Sequence, residues 1–133
     1  MTIMQNIRTK RHVVSSLHLH LVFVTKYRKK VFSDLMIERL KYHFQRICDD
    51  FGCRLIESNG EEDHVHLLIE PMQYTTPSKL VNSLKGVSAR LLRKEFPELE
   101  KFFWKGGLWS PSYFIASCGG APLSMVREYI ENQ

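Results

Sequence analysis

The sequence predicts an α+β fold in which a ferredoxin-like antiparallel sheet, with element order β-α-β-β-α-β, carries two helices on one face and a further helix at the C-terminus. Short stretches in which apolar residues alternate, typical of strands, are separated by longer stretches in which they recur every three or four positions, typical of helices. Glycine and proline fall between these stretches and mark their ends. The 133 residues suffice for one domain, which we expect to span residues 1–133.

The first strand and the first helix follow from their apolar spacing. Residues 16–25 alternate leucine or phenylalanine with other residues, which places His18 and His20 together on the opposite face of this strand. A basic turn occupies residues 26–30. Residues 34–51 have apolar side chains at helical spacing and are followed by glycine, a common helix terminator.

A β-hairpin is predicted next. Residues 53–58 form its first strand, Asn59-Gly60 has the composition of a tight hairpin turn, and residues 63–70 form the returning strand. In the ferredoxin-like topology this third strand lies beside the first. Its alternate apolar residues then face the helices, which leaves His64 and His66 on the opposite, more open face of the sheet.

The second half of the chain contributes a helix, a strand and the additional helix. Thr76-Pro77 is a favourable start for a helix that we expect to reach Phe96, since threonine caps helices and proline suits their first position. Gly86 in the interior of this helix costs about 1 kcal/mol, which suggests that another backbone approaches closely there. Residues 109–117 are predicted as the fourth strand, and Pro122 as the start of the last helix.

Composition favours a polyanionic partner and a reducing compartment. The net charge is +5 at pH 7 and the isoelectric point is near 9.2, a basic excess that favours nucleic acid as a partner. The three cysteines are an odd number without zinc-finger spacing, as expected for reduced thiols. No apolar run reaches the length of a membrane span and no signal peptide is recognisable, so we expect a soluble cytoplasmic protein.

The pair His64 and His66 is a candidate metal site. Residues two apart on a strand point to the same face and lie about 6.6 Å apart along it, so both imidazoles can bind one ion. His18 and His20 have the same spacing on the first strand. Histidine pairs are also frequent as ordinary surface or packed residues, so the pattern alone does not decide whether either pair binds a metal.

Tyr129 and Gln133 form the second candidate constellation. Residues four apart stack on one face of a helix, so the phenol lies beside the amide. The amide oxygen of glutamine is acceptable to a hard cation, and together with imidazole nitrogen it suits Mg²⁺, Mn²⁺ or an opportunistic transition metal. A metal site next to a tyrosine nucleophile can cut a phosphodiester through a covalent phosphotyrosine.

Five ordered segments resemble one family. From about residue 12 to its C-terminus the chain is similar to the small single-tyrosine transposases of bacterial and archaeal insertion sequences that move as single-stranded DNA. These proteins belong to the HUH endonucleases, named for histidine–hydrophobic–histidine. The matching segments are His20–Phe23 with Lys26–Arg28, Asp63–Leu68, Asn82–Ser88, Leu108-Trp109 with Ser112–Phe114, and Tyr129–Gln133.

The resemblance implies site residues, a cofactor and partners. His64, His66 and Gln133 are then ligands of a divalent metal ion, Mg²⁺ or Mn²⁺, and Tyr129 is the nucleophile. The expected substrate is a single-stranded DNA hairpin at each end of a mobile element. A homodimer with composite active sites is also implied, in which the histidines of one subunit face the tyrosine of the other.

Basic side chains around an aromatic ring are the candidate DNA-binding surface, because they combine phosphate contacts with base stacking. Two groups of residues fit this description, one on the basic turn and one on the polar side of the second helix. They are Lys26, Tyr27, Arg28, Lys29 and Lys30 on the turn, and Lys85 and Arg90 on the helix. Two alternatives stay open: a non-catalytic RNA- or DNA-binding module of the same fold, and a metal-dependent hydrolase without a covalent intermediate.

Overall fold

A computed structural model describes residues 17–72, 74–103 and 106–119. The expected C-terminal helix, and with it Tyr129 and Gln133, lies outside the described residues. The helices and strands are, in chain order, β1 (Leu17–Thr25), α1 (Asp34–Asp50), β2 (Arg54–Glu61), β3 (His64–Glu70), α2 (Pro77–Glu95) and β4 (Trp109–Gly119). Short 3₁₀ turns at Lys26–Arg28 and Pro97–Lys101 follow β1 and α2.

The four strands form one antiparallel sheet in the order β2-β3-β1-β4. The first and third strands are therefore neighbours at the centre of the sheet, and the expected ferredoxin-like arrangement of these six elements is confirmed. Because β1 and β3 are central, His20, His64 and His66 each have paired residues on both sides. This position fixes the backbone that carries the two histidine pairs.

The core fills the space between the sheet and the two helices. Phe23 of β1 is fully buried, and so are Leu40 and Phe44 of α1 and Leu84 of α2. The rings of Phe23 and Phe44 meet edge to face at 6.2 Å. Each such side chain contributes about 1.5–3 kcal/mol on burial, so α1 and α2 hold one face of the sheet firmly.

The hairpin turn is not at Asn59-Gly60, and this prediction was wrong. Strand β2 continues to Glu61, Gly60 pairs with Val65, and residues 62–63 make the turn. A Cβ atom on Gly60 would lie 2.7 Å from the carbonyl oxygen of His64. The glycine is therefore needed for close packing inside the strand rather than for a turn.

The face of the sheet opposite to the helices is more enclosed than the alternation suggested. His66 is 8% exposed and His20 only 2%, and Val22 and Leu68 on the same face are also buried. The apolar stretches around Val22 and Leu68 are continuous in the sequence, a pattern typical of strands that are buried on both faces. The description of this face as open was wrong at its centre.

Helix α2 differs from expectation in its cap and at its glycine. The side chain of Thr76, at the N-cap position, makes no capping hydrogen bond within the described structure. No described atom lies within 4 Å of a Cβ placed on Gly86, so the expected close approach of another backbone is absent from the described residues. Neither α1 nor α2 combines the length and apolar character that a membrane-crossing helix needs, and no other described helix does.

Candidate active site

His64 and His66 occupy the first half of β3 and lie on the face of the sheet away from the helices. Their cross-strand neighbours on β1 are Val24 and Val22. His66 is buried, whereas His64 is partly exposed. Since side chains two apart on a strand project in the same direction, the two imidazoles are adjacent on this face and can serve one ion.

The imidazole of His64 is held by the residue before it. Its Nδ1 lies 3.0 Å from Oδ1 of Asp63, and both side chains are only 13% exposed. An ionised carboxylate has no proton to give, so Nδ1–H is the donor. In the neutral imidazole the lone pair is then on Nε2, the atom that a metal ion needs.

Asp63 also binds the basic turn. Its Oδ2 accepts a hydrogen bond from Nε of Arg28 at 3.2 Å, and its backbone oxygen accepts one from the amide of Thr25 at 2.9 Å. Burial alone raises the pKa of the Asp63 carboxyl. The hydrogen bond from His64 and the charge of Arg28 outweigh that effect, so the net pKa is lowered. Asp63 is thus a carboxylate at neutral pH.

The turn that carries Arg28 has a strained backbone. Tyr27 and Arg28 both have positive φ angles, 62° and 54°, in the left-handed region that residues other than glycine rarely occupy. Tyr27 is 76% exposed, and Nζ of Lys26 lies 5.9 Å from the centre of its ring. Lys29 and Lys30 are exposed as well. The turn therefore presents an accessible ring among four basic side chains.

Of the two basic residues predicted on the second helix, one is engaged inside the fold. Nζ of Lys85 donates to the carbonyl oxygens of Ser110 and Pro111, and burial lowers the pKa of its ammonium. Arg90 is exposed. DNA binding by these two side chains stays a prediction, but Lys85 must give up internal contacts to reach a phosphate.

The second histidine pair behaves differently from the first. His20 is almost fully buried, and neither of its ring nitrogens has a hydrogen-bond partner in the described structure. Burial, and to a lesser extent the nearby His18, lowers the pKa of His20. His20 lies opposite Leu68 on β3, one pair along from the pair of Val22 with His66. His20 is therefore close to the pair His64 and His66, but its direct cross-strand neighbours are the apolar Leu68 and Ala116.

The donor set on β3 fits a metal ion only in part. Within residues 17–72, 74–103 and 106–119, no group of three or more His, Cys, Asp or Glu side chains is placed to hold one. His64 and His66 offer two nitrogen donors, and no third His, Cys, Asp or Glu of the described residues joins them. A pair of imidazole nitrogens suits a cation that also takes oxygen ligands.

Asp63 is the site residue that the sequence reasoning missed. Asp63 opens the matching segment Asp63–Leu68, but no pattern in the sequence assigns it a role. The available signal was its position directly before His64, because histidine ligands commonly donate their second ring N–H to a carboxylate. The position alone does not show a contact, because neighbouring side chains on a strand project to opposite faces. The structure shows it: the carboxylate of Asp63, at the end of the turn, reaches Nδ1 of His64.

Comparisons with known proteins agree with each other. The family model described as "Transposase IS200 like" matches residues 13–133. The chain is 33% identical over 123 residues to the ISDra2 transposase TnpA of Deinococcus radiodurans, which covers 92% of this chain and 88% of that protein. It is 25% identical over 114 residues to the transposase for insertion sequence element IS200 of Salmonella typhimurium, covering 86% and 74%.

The fold agrees as well. A crystal structure from Deinococcus radiodurans R1, of a protein described as a candidate transposase, superimposes with a TM-score of 0.74 at 34% sequence identity. The match covers 87% of this chain and 89% of that one. The described sheet and helices are therefore those of a known relative.

Proposed function

This chain belongs to the IS200-like transposase family, and from that premise we propose that it is a metal-dependent endonuclease and strand transferase for single-stranded DNA. The observation that carries the proposal is the pair His64 and His66 on one face of β3, with Nε2 of His64 left free by the bond from Nδ1 to Asp63. A family member with this donor pair has the equipment for phosphodiester chemistry.

His64, His66 and Gln133 are the proposed ligands of Mg²⁺ or Mn²⁺. When bound, such an ion withdraws charge from the non-bridging oxygens of the scissile phosphate and aligns that phosphate for in-line attack. The two histidines hold their positions because β3 is paired on both sides. Gln133 adds a neutral oxygen, which a hard cation accepts.

Tyr129 is the proposed nucleophile. Only about 0.1% of a free phenol is ionised at neutral pH, so attack would need an activated phosphate, which is the chemistry that a bound ion would supply. The phenolic oxygen forms the new bond to phosphorus and loses its proton, while the bond to the 3′-oxygen breaks and that oxygen leaves as a hydroxyl. The 5′-phosphate stays on Tyr129 as an ester. Attack by another 3′-hydroxyl reverses the step and joins new ends without an external energy source.

DNA would be bound by the strained turn and by the polar side of α2. Tyr27 offers a stacking surface, and Lys26, Arg28, Lys29 and Lys30 offer phosphate contacts. Arg90, which is exposed, and Lys85 are further proposed phosphate contacts. The proposed substrates are hairpins of single-stranded DNA at the ends of a mobile element, and the proposed assembly is a homodimer with composite sites.

The experiment is adduct formation by the whole protein. Single-stranded DNA carrying an end hairpin and a label on the 3′ side of the cut is incubated with protein and Mg²⁺, then separated on a denaturing gel. We expect a labelled protein band that disappears with EDTA. Tyr129→Phe should lose the band and keep hairpin binding, because only the nucleophilic oxygen is removed. Binding without an adduct in the wild-type protein, with Mg²⁺ and Mn²⁺ alike, would favour the non-catalytic module instead.

A further inference from the structure

The carboxylate of Asp63 connects two parts of the molecule that have separate proposed roles. One oxygen meets Nδ1 of His64 at 3.0 Å and the other meets Nε of Arg28 at 3.2 Å. With both oxygens engaged, the carboxylate has little freedom to rotate. It is also mostly buried, whereas the side chain of Arg28 is 51% exposed. The hydrogen bond to His64 is therefore less exposed to water than the one to Arg28. It is the stronger of the two interactions for that reason.

Main-chain bonds fix the position of Asp63 relative to the basic turn. The amide of Thr25 donates to the carbonyl oxygen of Asp63 at 2.9 Å, and the amides of Val31 and Phe32 both donate to that of Glu62 at 3.0 Å. The two-residue turn between β2 and β3 is thus held on both of its carbonyls, by the last residue of β1 and by the chain that follows it. A side chain on this turn cannot drift far from its observed place.

We propose that Asp63 is a positioning residue of the metal site, which keeps the proton of the His64 imidazole on Nδ1 and directs Nε2 to the ion. The inference rests on the proposed function, since it takes His64 as a ligand. Carboxylates that orient a histidine ligand in this way typically account for about 10- to 100-fold in metal affinity. Arg28 supports the carboxylate from its far side and acts on His64 only through it.

The first test needs neither metal nor DNA. The long-range ¹H–¹⁵N spectrum of the imidazoles shows which ring nitrogen carries the proton, and we would record it on metal-free protein at about pH 8, where histidines are ordinarily neutral. We expect His64 to be protonated on Nδ1. In Asp63→Ala the proton should move to Nε2, because nothing else observed holds it on Nδ1. Protonation of Nε2 in the wild-type protein would overturn the proposal.

Two variants separate this role from a general disturbance of the turn. Glu62→Gln changes the other carboxylate of the same turn, and Arg28→Gln removes the second partner of Asp63 while leaving its carboxylate in place. Both should keep the proton on Nδ1 of His64. A shift to Nε2 in either variant as large as that in Asp63→Ala would mean that turn distortion decides the tautomer, and the proposal would fail.

The second test is calorimetric titration with Mn²⁺. Asp63→Ala, which removes the acceptor, should weaken binding about 10- to 100-fold, and Glu62→Gln should leave it unchanged. Equal affinity of Asp63→Ala and the wild-type protein would contradict the positioning role. If instead the wild-type protein forms no DNA adduct while the tautomer results hold, the proposed function fails and the orientation of His64 by Asp63 stands on its own.

Discussion

The ammonium of Lys85 lies 2.7 Å from the carbonyl oxygen of Ser110 and ties α2 to the beginning of β4. The same atom is 5.1 Å from the centre of the Tyr113 ring. Close by, the indole of Trp109 donates to the hydroxyl of Ser88 at 3.0 Å in a buried position. The edge strand is therefore attached to the helix by polar contacts as well as by packing, and Lys85 is part of that attachment.

Lys85→Met should lower the stability of the fold. A hydrogen bond from a charged group contributes about 1.5–3 kcal/mol, and partial exposure of Lys85 reduces this, so we expect a loss of about 1–2 kcal/mol in the free energy of unfolding. Arg90→Met removes an equal charge from an exposed position of the same helix and should change stability by less than about 0.5 kcal/mol. Urea denaturation measures both. Equal stability of the two variants would show that the internal contacts of Lys85 contribute nothing.

His66→Ala should abolish Mn²⁺ binding, whereas His18→Ala should bind Mn²⁺ as the wild-type protein does. The reason is that the carboxylate of Asp63 holds His64 of the pair on β3, while the described structure places no carboxylate on the pair on β1. Calorimetric titration decides between the two pairs. Retained binding in His66→Ala together with lost binding in His18→Ala would move the site to β1.

His20→Leu should remove a dependence of stability on pH. The pKa of His20 is lowered on folding, so the unfolded chain binds more protons than the folded one between that lowered pKa and about 6.5. Stability of the wild-type protein therefore falls as the pH drops through this window, and His20 contributes no pH dependence above it.

The variant also removes two buried nitrogens that lack partners in the described structure. Such groups cost about 1–3 kcal/mol, so His20→Leu should be at least as stable as the wild-type protein at neutral pH. Thermal unfolding in EDTA, at several pH values from about 5 to 8, gives the difference between the two proteins. A difference that does not change with pH would show that His20 is not the titrating group.

A mixed dimer of His66→Ala and Tyr129→Phe tests the proposed composite sites. Neither variant alone should form an adduct. If the histidines of one subunit work with the tyrosine of the other, the mixed dimer regains one of its two sites, because one subunit still has both histidines and the other still has its tyrosine. Subunit exchange, verified by differential labelling, followed by the adduct assay gives the answer. No rescue after complete exchange would place both groups of a site in one subunit.

Spacing within the chain predicted the architecture well. Strand and helix periods are set by neighbouring residues, so the element order and the pairing of β1 with β3 could be inferred before any coordinates. The error at Asn59-Gly60 arose because glycine is favoured both in tight turns and at strand positions where another backbone approaches closely. The sequence cannot show that a carbonyl 2.7 Å from a Cβ, rather than a turn, requires it.

Contacts between distant residues were not predictable. Arg28 and Asp63 are 35 positions apart and Lys85 and Ser110 are 25 apart, so no local pattern joins them. The sequence therefore predicted the candidate ligand pair His64 and His66 but not the contact of the Asp63 carboxylate with His64. It likewise predicted DNA binding by Lys85 and gave no indication of the internal partners of that side chain. The burial of His20 and His66 likewise depends on tertiary packing.

The left-handed backbone at Tyr27 and Arg28 bears on how this protein could be engineered. Glycine or asparagine occupies that conformation at lower cost than tyrosine or arginine, so any optimisation that scores stability alone will replace both residues. It would thereby delete the exposed ring and the guanidinium that reaches Asp63. A thermostable version of this domain should therefore be built by leaving the turn untouched and improving positions such as the exposed Gly86, where the described structure leaves room for a methyl group.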